Sequence, residues 1–227
     1  SPGEFYQLDF EMAFATQEEV LDVCEDVIYD TFKTFSDKKV TEKRFRRITY
    51  AESMMKYGSD KPDLRNPLKV VDVTETFKNT TFSVFQNVTI KCIKATTNGK
   101  PRKWYDKLTE FLKSREAKGL AYFVVGENDE LSGGITKYVT EEEKAELKQL
   151  TGFAAGDTLF FIADEKEKAI KFTNMLRNEL GKELELIDAN DYKFCWIVDF
   201  PFFEKDDDGN IAFSHNPFSL PQSSLEE

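Results

Sequence analysis

From Tyr6 to Phe14 every second residue is large and apolar: Tyr6, Leu8, Phe10, Met12 and Phe14. Gln7, Asp9 and Glu11 stand between them. Successive side chains of a β-strand point to opposite faces, so this alternation predicts a strand with one face in a core and a polar row on the other. The members of the row repeat every ~6.6–6.8 Å. Such a row either faces solvent or lines a small-molecule pocket. In a pocket, one carboxylate can accept from an ammonium group and a second can face a metal–nucleotide. Spacing alone leaves both open.

The chain around this segment has 227 residues, 40% hydrophobic and 32% charged, with 21 Phe, enough for one large folded domain or two small ones and unlike a disordered chain. No apolar run approaches the ~18 residues of a membrane span. The start, Ser1 to Tyr6, has no basic region followed by a long apolar one, so no signal peptide and no membrane partner are expected. Cys24, Cys92 and Cys195 are odd in number and widely spaced, which excludes a disulfide framework and a CxxC metal knuckle and fits a reducing compartment. With His215 as the single histidine, His-rich metal sites and most Ser-His-Asp schemes are excluded. There is no Walker A, GxGxxG or HExxH motif. Asp206 to Asp208 resembles half a calcium loop without its later Glu and reads as a solvated turn.

The net charge of -11 argues against a simple nucleic-acid-coating domain. Yet residues 91–118 hold nine Lys/Arg against three Asp/Glu, and residues 37–47 hold six against two. Each stretch is either a solvated face or a local contact for a polyanion.

Capping patterns mark helices beginning after Thr16 (with Glu19), Thr49 (with Glu52) and Thr140 (with Glu143). In the first, Val20, Cys24, Val27, Ile28, Thr31 and Phe35 form the expected inward stripe. Gly58 should end the second and Gly152 the third. Two further helices are expected over Pro101 to Lys118, with Trp104, Leu108, Phe111 and Leu112 inward and Gly119 as the stop, and over Glu165 to Leu180, stopped by Gly181. Strands are expected at Val88–Ile93, Leu120–Val125, Thr158–Ala163 and Phe194–Phe200, and a hairpin turn at Asp206–Asn210 with a return strand from Ile211. Pro62 and Pro67 exclude regular helix or central strand from Gly58–Pro67, which is either a plain surface loop, with Asp60 and Asp63 free to cap helix ends, or one whose Lys61 and Arg65 meet phosphates. Ser36 to Arg47 reads as a polar connector. The pattern is mixed α/β or α+β, and periodicity does not say whether the strands run parallel.

Several segments in combination resemble one family. Glu4–Met12 is similar to the second half of class II synthetase motif 2 as found in bacterial-type aspartyl-tRNA synthetases. Tyr57–Pro67 resembles a signature stretch of the same family. Ala117–Tyr122 resembles its inserted GAD domain, and Trp196–Pro201 with His215–Phe218 resembles the return into its catalytic domain. The matches run in family order along nearly the whole chain.

The resemblance implies an α+β chain. Residues 1 to about 70 and about 193 to 227 would be parts of a class II catalytic domain built on an antiparallel sheet, and about 71 to 192 the GAD-type insertion. It implies a ligase whose full-length parent joins L-aspartate to ATP, with Mg2+, and passes the aspartyl group to the 3′ end of tRNA. Asp9 would receive the substrate ammonium, with Gln7 beside it and His215 near the bound aspartate. Glu11 would lie near ATP and Mg2+. Ser59, Asp60, Lys61 and Arg65 would border the acceptor-end entrance. Asn216 departs from members that carry a second His and takes no role. No residue is expected to act as a covalent catalyst or to hold a resident metal. The chain begins inside motif 2 and ends before motif 3, so it is expected to be an internal fragment that binds no cofactor and makes no adenylate by itself, from a cytoplasmic parent that is a homodimer. A non-catalytic module contacting RNA through Arg102, Lys103 and Lys107, or contacting protein, is the alternative. An amidotransferase subunit sharing the insertion is disfavoured by residues 4–12 and 214–218.

Overall fold

The computed structural model describes residues 3–40, 42–205 and 209–214. In chain order come helix α1 (Gln17–Phe35), strands β1 (Lys39–Val40) and β2 (Arg46–Thr49), and helix α2 (Tyr50–Tyr57). Strands β3 (Val70–Asp72) and β4 (Thr89–Thr96), helix α3 (Arg102–Lys113), and strands β5 (Ala121–Val125) and β6 (Leu131–Ser132) follow. Then come helix α4 (Glu141–Thr151), strand β7 (Asp157–Asp164), helix α5 (Lys166–Glu183), and strands β8 (Asp191–Tyr192), β9 (Cys195–Val198), β10 (Phe203–Lys205) and β11 (Ile211–Phe213). The described residues form two compact units, one drawn from 1–46 and 189–194, the other from 47–188 and 195–227.

The smaller unit is built on α1. Thr16 and Glu19 close the expected reciprocal cap. The short strands β1 and β8 pair in parallel, Val40 opposite Tyr192. Phe32 meets Tyr192 and Phe194 edge-on at 4.9 and 4.8 Å, and Phe45 stacks on Phe194 at 5.0 Å. The expected inward stripe stops short: Thr31 and Phe35 are exposed. Glu25 is the buried residue of the helix, and Arg44 Nη1 lies 3.3 Å from its carboxylate and 3.1 Å from that of Asp22. Lys43 pairs with Asp26 at 3.4 Å. Part of the basic 37–47 stretch is thus held against the acidic face of α1.

The Glu4–Phe14 strand does not form. Residues 4–12 carry no regular structure, and Tyr6, Leu8 and Phe14 are 106%, 73% and 108% exposed. The physical reason is the missing ladder: a strand holds its shape by pairing, and none of the described strands pairs with this segment. Alternation says which face would be buried, not whether anything is there to bury it.

The larger unit is a five-stranded antiparallel sheet, order β3-β4-β7-β5-β6. Both faces are covered, and the alternation along each strand sorts the side chains between them. Ile93 and Ala95 of β4 and Phe160 and Ile162 of β7 face a core with Tyr105, Leu108 and Leu112 of α3 and Phe172, Leu176 and Leu180 of α5. Ile90, Cys92, Phe123, Leu159 and Phe161 face the other core, with Phe77, Phe85, Leu147 and Phe153. Burial pushes the Cys92 thiol well above its usual range, which makes it a packing group and not a nucleophile. The strands pair as antiparallel neighbours, a point periodicity left open.

Two helix ends differ from the expected ones. α3 stops at Lys113, not near Gly119. Glu116 takes a left-handed φ of 74°, Glu116 N–H donates to Lys113 O, and Ala117 N–H donates to Leu112 O. This is the Schellman pattern with Glu in the position that glycine favours. α5 runs through Gly181 to Glu183 because Gly181 is a contact point and not a stop. A Cβ there would sit 2.8 Å from Asn66 Cγ. β2 pairs with β9, and the expected hairpin forms from β10 and β11, Glu204 opposite Ala212, with residues 206–208 outside the described set.

The left-handed Glu116 is exposed and its side chain makes no hydrogen bond among the described residues. Replacing it by glycine removes a Cβ penalty of ~1–2 kcal/mol and returns up to ~1 kcal/mol as unfolded-chain entropy. Glu116→Gly is therefore expected to stabilise the larger unit by about 0.5–1 kcal/mol in urea unfolding. An unchanged or lower midpoint would show that this end is not strained.

Candidate functional site

The expected site residues fall on three segments. On the first, Gln7 Nε2 donates to both carboxylate oxygens of Asp9, at 2.8 and 3.0 Å. The two-residue spacing puts them side by side even without a strand. The amide orients the carboxylate and leaves it acceptor positions for an incoming ammonium or N–H donor. Both residues are exposed, as is Glu11. His215 and Asn216 lie outside the described residues.

On the second segment, helix α2 begins at Thr49, whose hydroxyl accepts from Glu52 N–H, and ends at Gly58 with φ 71°. A Cβ on Gly58 would meet Ile170 O of α5 at 2.9 Å, so glycine is required both by the turn and by the close approach. The expected loop follows. Buried Ser53 donates to Ser59 O at 2.6 Å, and Ser59 Oγ accepts from Lys61 N–H at 3.0 Å. The Lys61 side chain is 87% exposed and lies 3.2 Å from Asp60. Arg65 grips Asp63 through Nε at 2.9 Å and Nη2 at 2.8 Å. The Arg65 hydrogen bonds hold the Asp63 carboxyl below its usual range, against a smaller opposing effect of burial. Arg65 is thus tied to an internal carboxylate, whereas Lys61 projects into solvent.

The third segment is α3. Arg102 and Lys103 are exposed in its first turn; Arg102 lies 4.0 Å from Asp106. Lys107 Nζ and Trp104 Nε1 both reach Glu183 of α5 at 3.3 Å. The surrounding 91–118 stretch does not form one basic surface. Lys91 is buried against Asp72 at 2.8 Å, Lys94 lies 3.6 Å from Asp157, and Lys118 lies 2.8 Å from Asp164. Lys103 and Lys113 of α3 have no ion pair among the described residues.

No cluster of three or more His, Cys, Asp or Glu side chains that could hold a metal occurs among the described residues. No described helix is long and apolar enough to cross a membrane.

Arg177 was not among the expected site residues. It is fully buried, and its guanidinium lies 5.0 Å from the Tyr57 ring and donates to the backbone of the 58–68 loop. The available signal was a charged residue one turn from Thr173 and one turn from Gly181 on the face of α5 that carries Phe172, Leu176 and Leu180.

Comparison with known proteins places the chain among relatives. The family described as tRNA synthetases class II (D, K and N) matches residues 1–227. An aspartate–tRNA(Asp/Asn) ligase of Rickettsia felis is 48% identical over 233 aligned positions, covering 100% of this chain and 39% of that protein. Ligases with the same name from Rickettsia bellii and Rickettsia prowazekii are 46% and 45% identical, again over 100% of this chain and over 39% and 38% of theirs. The chain therefore spans about two fifths of the length of these curated relatives.

Proposed function

The chain belongs to the class II tRNA synthetases (D, K and N), and from that premise we propose that it is part of an aspartate–tRNA ligase. The whole ligase activates L-aspartate with ATP, releasing pyrophosphate, and passes the aspartyl group from the adenylate to a 3′-terminal hydroxyl of tRNA, releasing AMP. The observation that carries the reading is the Gln7–Asp9 pair, an oriented carboxylate in a chain that over all of its own 227 residues is 48% identical to an aspartate–tRNA(Asp/Asn) ligase.

Asp9 accepts from the ammonium of aspartate, Gln7 fixes the Asp9 rotamer and contributes to the same pocket wall, and His215 stands near the bound amino acid. Bringing substrate and nucleotide together in a fixed geometry is the principal catalytic task, because no covalent enzyme intermediate is needed. Glu11 lies toward the nucleotide. The described residues hold no cluster of three or more His, Cys, Asp or Glu side chains for a metal. The exposed apolar row from Tyr6 to Phe14 finds its ladder partners in the parts of the ligase outside this chain. Residues 71–192 form the insertion, a reading supported by the five-stranded sheet, with a core on each face, that occupies most of them. The ligase works as a homodimer in the cytoplasm.

The loop residues Ser59, Asp60, Lys61 and Arg65 border the acceptor-end entrance, and Arg102 and Lys103 extend the interface to the RNA backbone. Lys107 is the weaker member because Glu183 holds it. The pair Arg102→Glu and Lys103→Glu is therefore expected to weaken tRNA binding by about tenfold or more. Its salt dependence should flatten by roughly one unit of slope for each phosphate no longer neutralised. Unchanged affinity and slope would remove α3 from the interface.

The function is tested by pyrophosphate–ATP exchange with the full-length protein. Aspartate should support exchange. Exchange supported by lysine or asparagine in its place would contradict the proposal.

A further inference from the structure

The 58–68 loop has no regular structure, yet Asn66 and Leu68 within it are buried. Three of its carbonyls accept from one side chain. Arg177 donates through Nε to Leu68 O at 2.7 Å, and through Nη2 to Asn66 O at 2.7 Å and Asp63 O at 3.0 Å. Asn66 answers in kind: its Nδ2 donates to Arg177 O at 2.8 Å, while its Oδ1 accepts from Leu68 N–H at 3.1 Å. Glycine is found at two close approaches of loop and helix, Gly58 against Ile170 O and Gly181 against Asn66. The Arg177 guanidinium has no carboxylate partner among the described residues and its Nη1 has no hydrogen-bond partner. Burying a cation that way is unfavourable in itself, and a Leu in this register would fill the same face of α5. What the Arg adds is a fixed conformation for a segment more than one hundred residues away in the chain.

The last turns of the same helix also hold the other candidate RNA element. Glu183, two residues past Gly181, accepts from Trp104 and Lys107 of α3. One rigid helix therefore sets both the loop that carries Lys61 and the basic first half of α3.

We propose that Arg177 is a positioning residue for tRNA: with Asn66 and Gly181 it docks the Gly58–Pro67 loop on α5 in the conformation that meets the acceptor end. The link to tRNA rests on the function proposed above; the docking itself does not. Arg177 touches neither aspartate nor ATP. It acts by presenting Lys61 and the loop backbone without the entropy cost of ordering a loop of this length at binding.

Two variants approach the docking from opposite sides. Arg177→Lys keeps the charge and cannot span three carbonyls. Gly181→Ala leaves Arg177 in place and drives a methyl group into Asn66. Amide hydrogen exchange on the 227-residue chain should show Asn66 and Leu68 exchanging at least tenfold faster in both variants, with the amides of β4 and β7 unchanged. Wild-type rates at Asn66 and Leu68 would overturn the docking, and acceleration throughout the sheet would reduce Arg177 to a general stabiliser. In the full-length ligase both variants should raise the KM for tRNA at least fivefold while aspartate-dependent pyrophosphate exchange stays within twofold. Equal losses in both reactions would overturn the tRNA-positioning role. If the wild-type ligase showed no aspartate-dependent exchange at all, the functional assignment would fall, and the hydrogen-exchange result would still decide the docking.

Discussion

Asp9→Asn in the full-length ligase is expected to cost roughly 30-fold to several-thousand-fold in kcat/KM for aspartate, corresponding to the ~2–5 kcal/mol lost when one partner of a desolvated charge pair is removed. Asparagine preserves shape and can still face the Gln7 amide, but it offers the substrate ammonium a neutral oxygen in place of a carboxylate. Pyrophosphate exchange over a range of aspartate concentrations gives the number directly. The loss should appear in the KM for aspartate, with the KM for ATP within a few fold of wild type. Gln7→Ala should fall between Asp9→Asn and wild type, because it removes the group that orients Asp9 and not the charge itself. A wild-type response to aspartate in Asp9→Asn would move the ammonium site elsewhere.

The second large effect concerns stability. Phe160 is fully buried in β7, among the rings of Trp104, Tyr105 and Tyr122 at 6.1–6.4 Å between centroids. It lies on the strand at the middle of the sheet, where α3 and α5 cover the same face. Phe160→Ala removes the ring and leaves a cavity that the flanking strands cannot close, an expected loss of ~3–5 kcal/mol. With unit stabilities in the usual range of ~5–15 kcal/mol, that is a large share of the total. Urea unfolding followed by near-ultraviolet circular dichroism measures it. Phe213→Ala, at a position 56% exposed on the β10–β11 hairpin, is the control and should stay within ~0.5 kcal/mol. A loss below ~1 kcal/mol at Phe160 would mean that the face between sheet and helices is not closely packed.

The parts of the fold legible in the sequence are those that local chemistry decides. Thr16, Thr49 and Thr140 start helices because a hydroxyl three residues before a Glu satisfies amides that the helix leaves free. The strand texture of β5 and β7 follows from apolar residues on both faces, which is why each reads as a nearly unbroken run and why its pairing direction does not show, whereas β4 carries Lys91 and Lys94 among its apolar residues. What escaped was set by distant contacts. Gly181 looks like a stop and is a point of close approach, which does not show locally because its neighbour Asn66 is more than one hundred residues away in the chain. Glu116 ends α3 in a conformation usually taken by glycine, so the visible Gly119 drew the boundary too late. Tyr6 to Phe14 has a strand's alternation without strand partners.

The candidate site divides the same way. The adjacency of Gln7 and Asp9 was legible because two-residue spacing brings them together in any extended backbone, and the structure joins them by hydrogen bonds. The loop was legible from its prolines. Its anchor was not, since nothing in residues 58–68 names Arg177 as the partner of three of the loop's carbonyls. The basic stretch was misleading as a block: Lys91, Lys94 and Lys118 turn to carboxylates within the sheet unit, and charge counted along a sequence does not report which face each residue takes.

That this chain serves the aspartylation of tRNA is tested most directly by transfer of labelled amino acid to tRNA by the full-length protein. Aspartate should appear as an acid-precipitable, alkali-labile ester on tRNA, dependent on ATP, and the Asp9→Asn variant should reduce it at least about thirtyfold, the lower end of the range set by losing a desolvated charge pair. Esterification of lysine or asparagine in place of aspartate, or undiminished aspartylation by Asp9→Asn, would contradict this role.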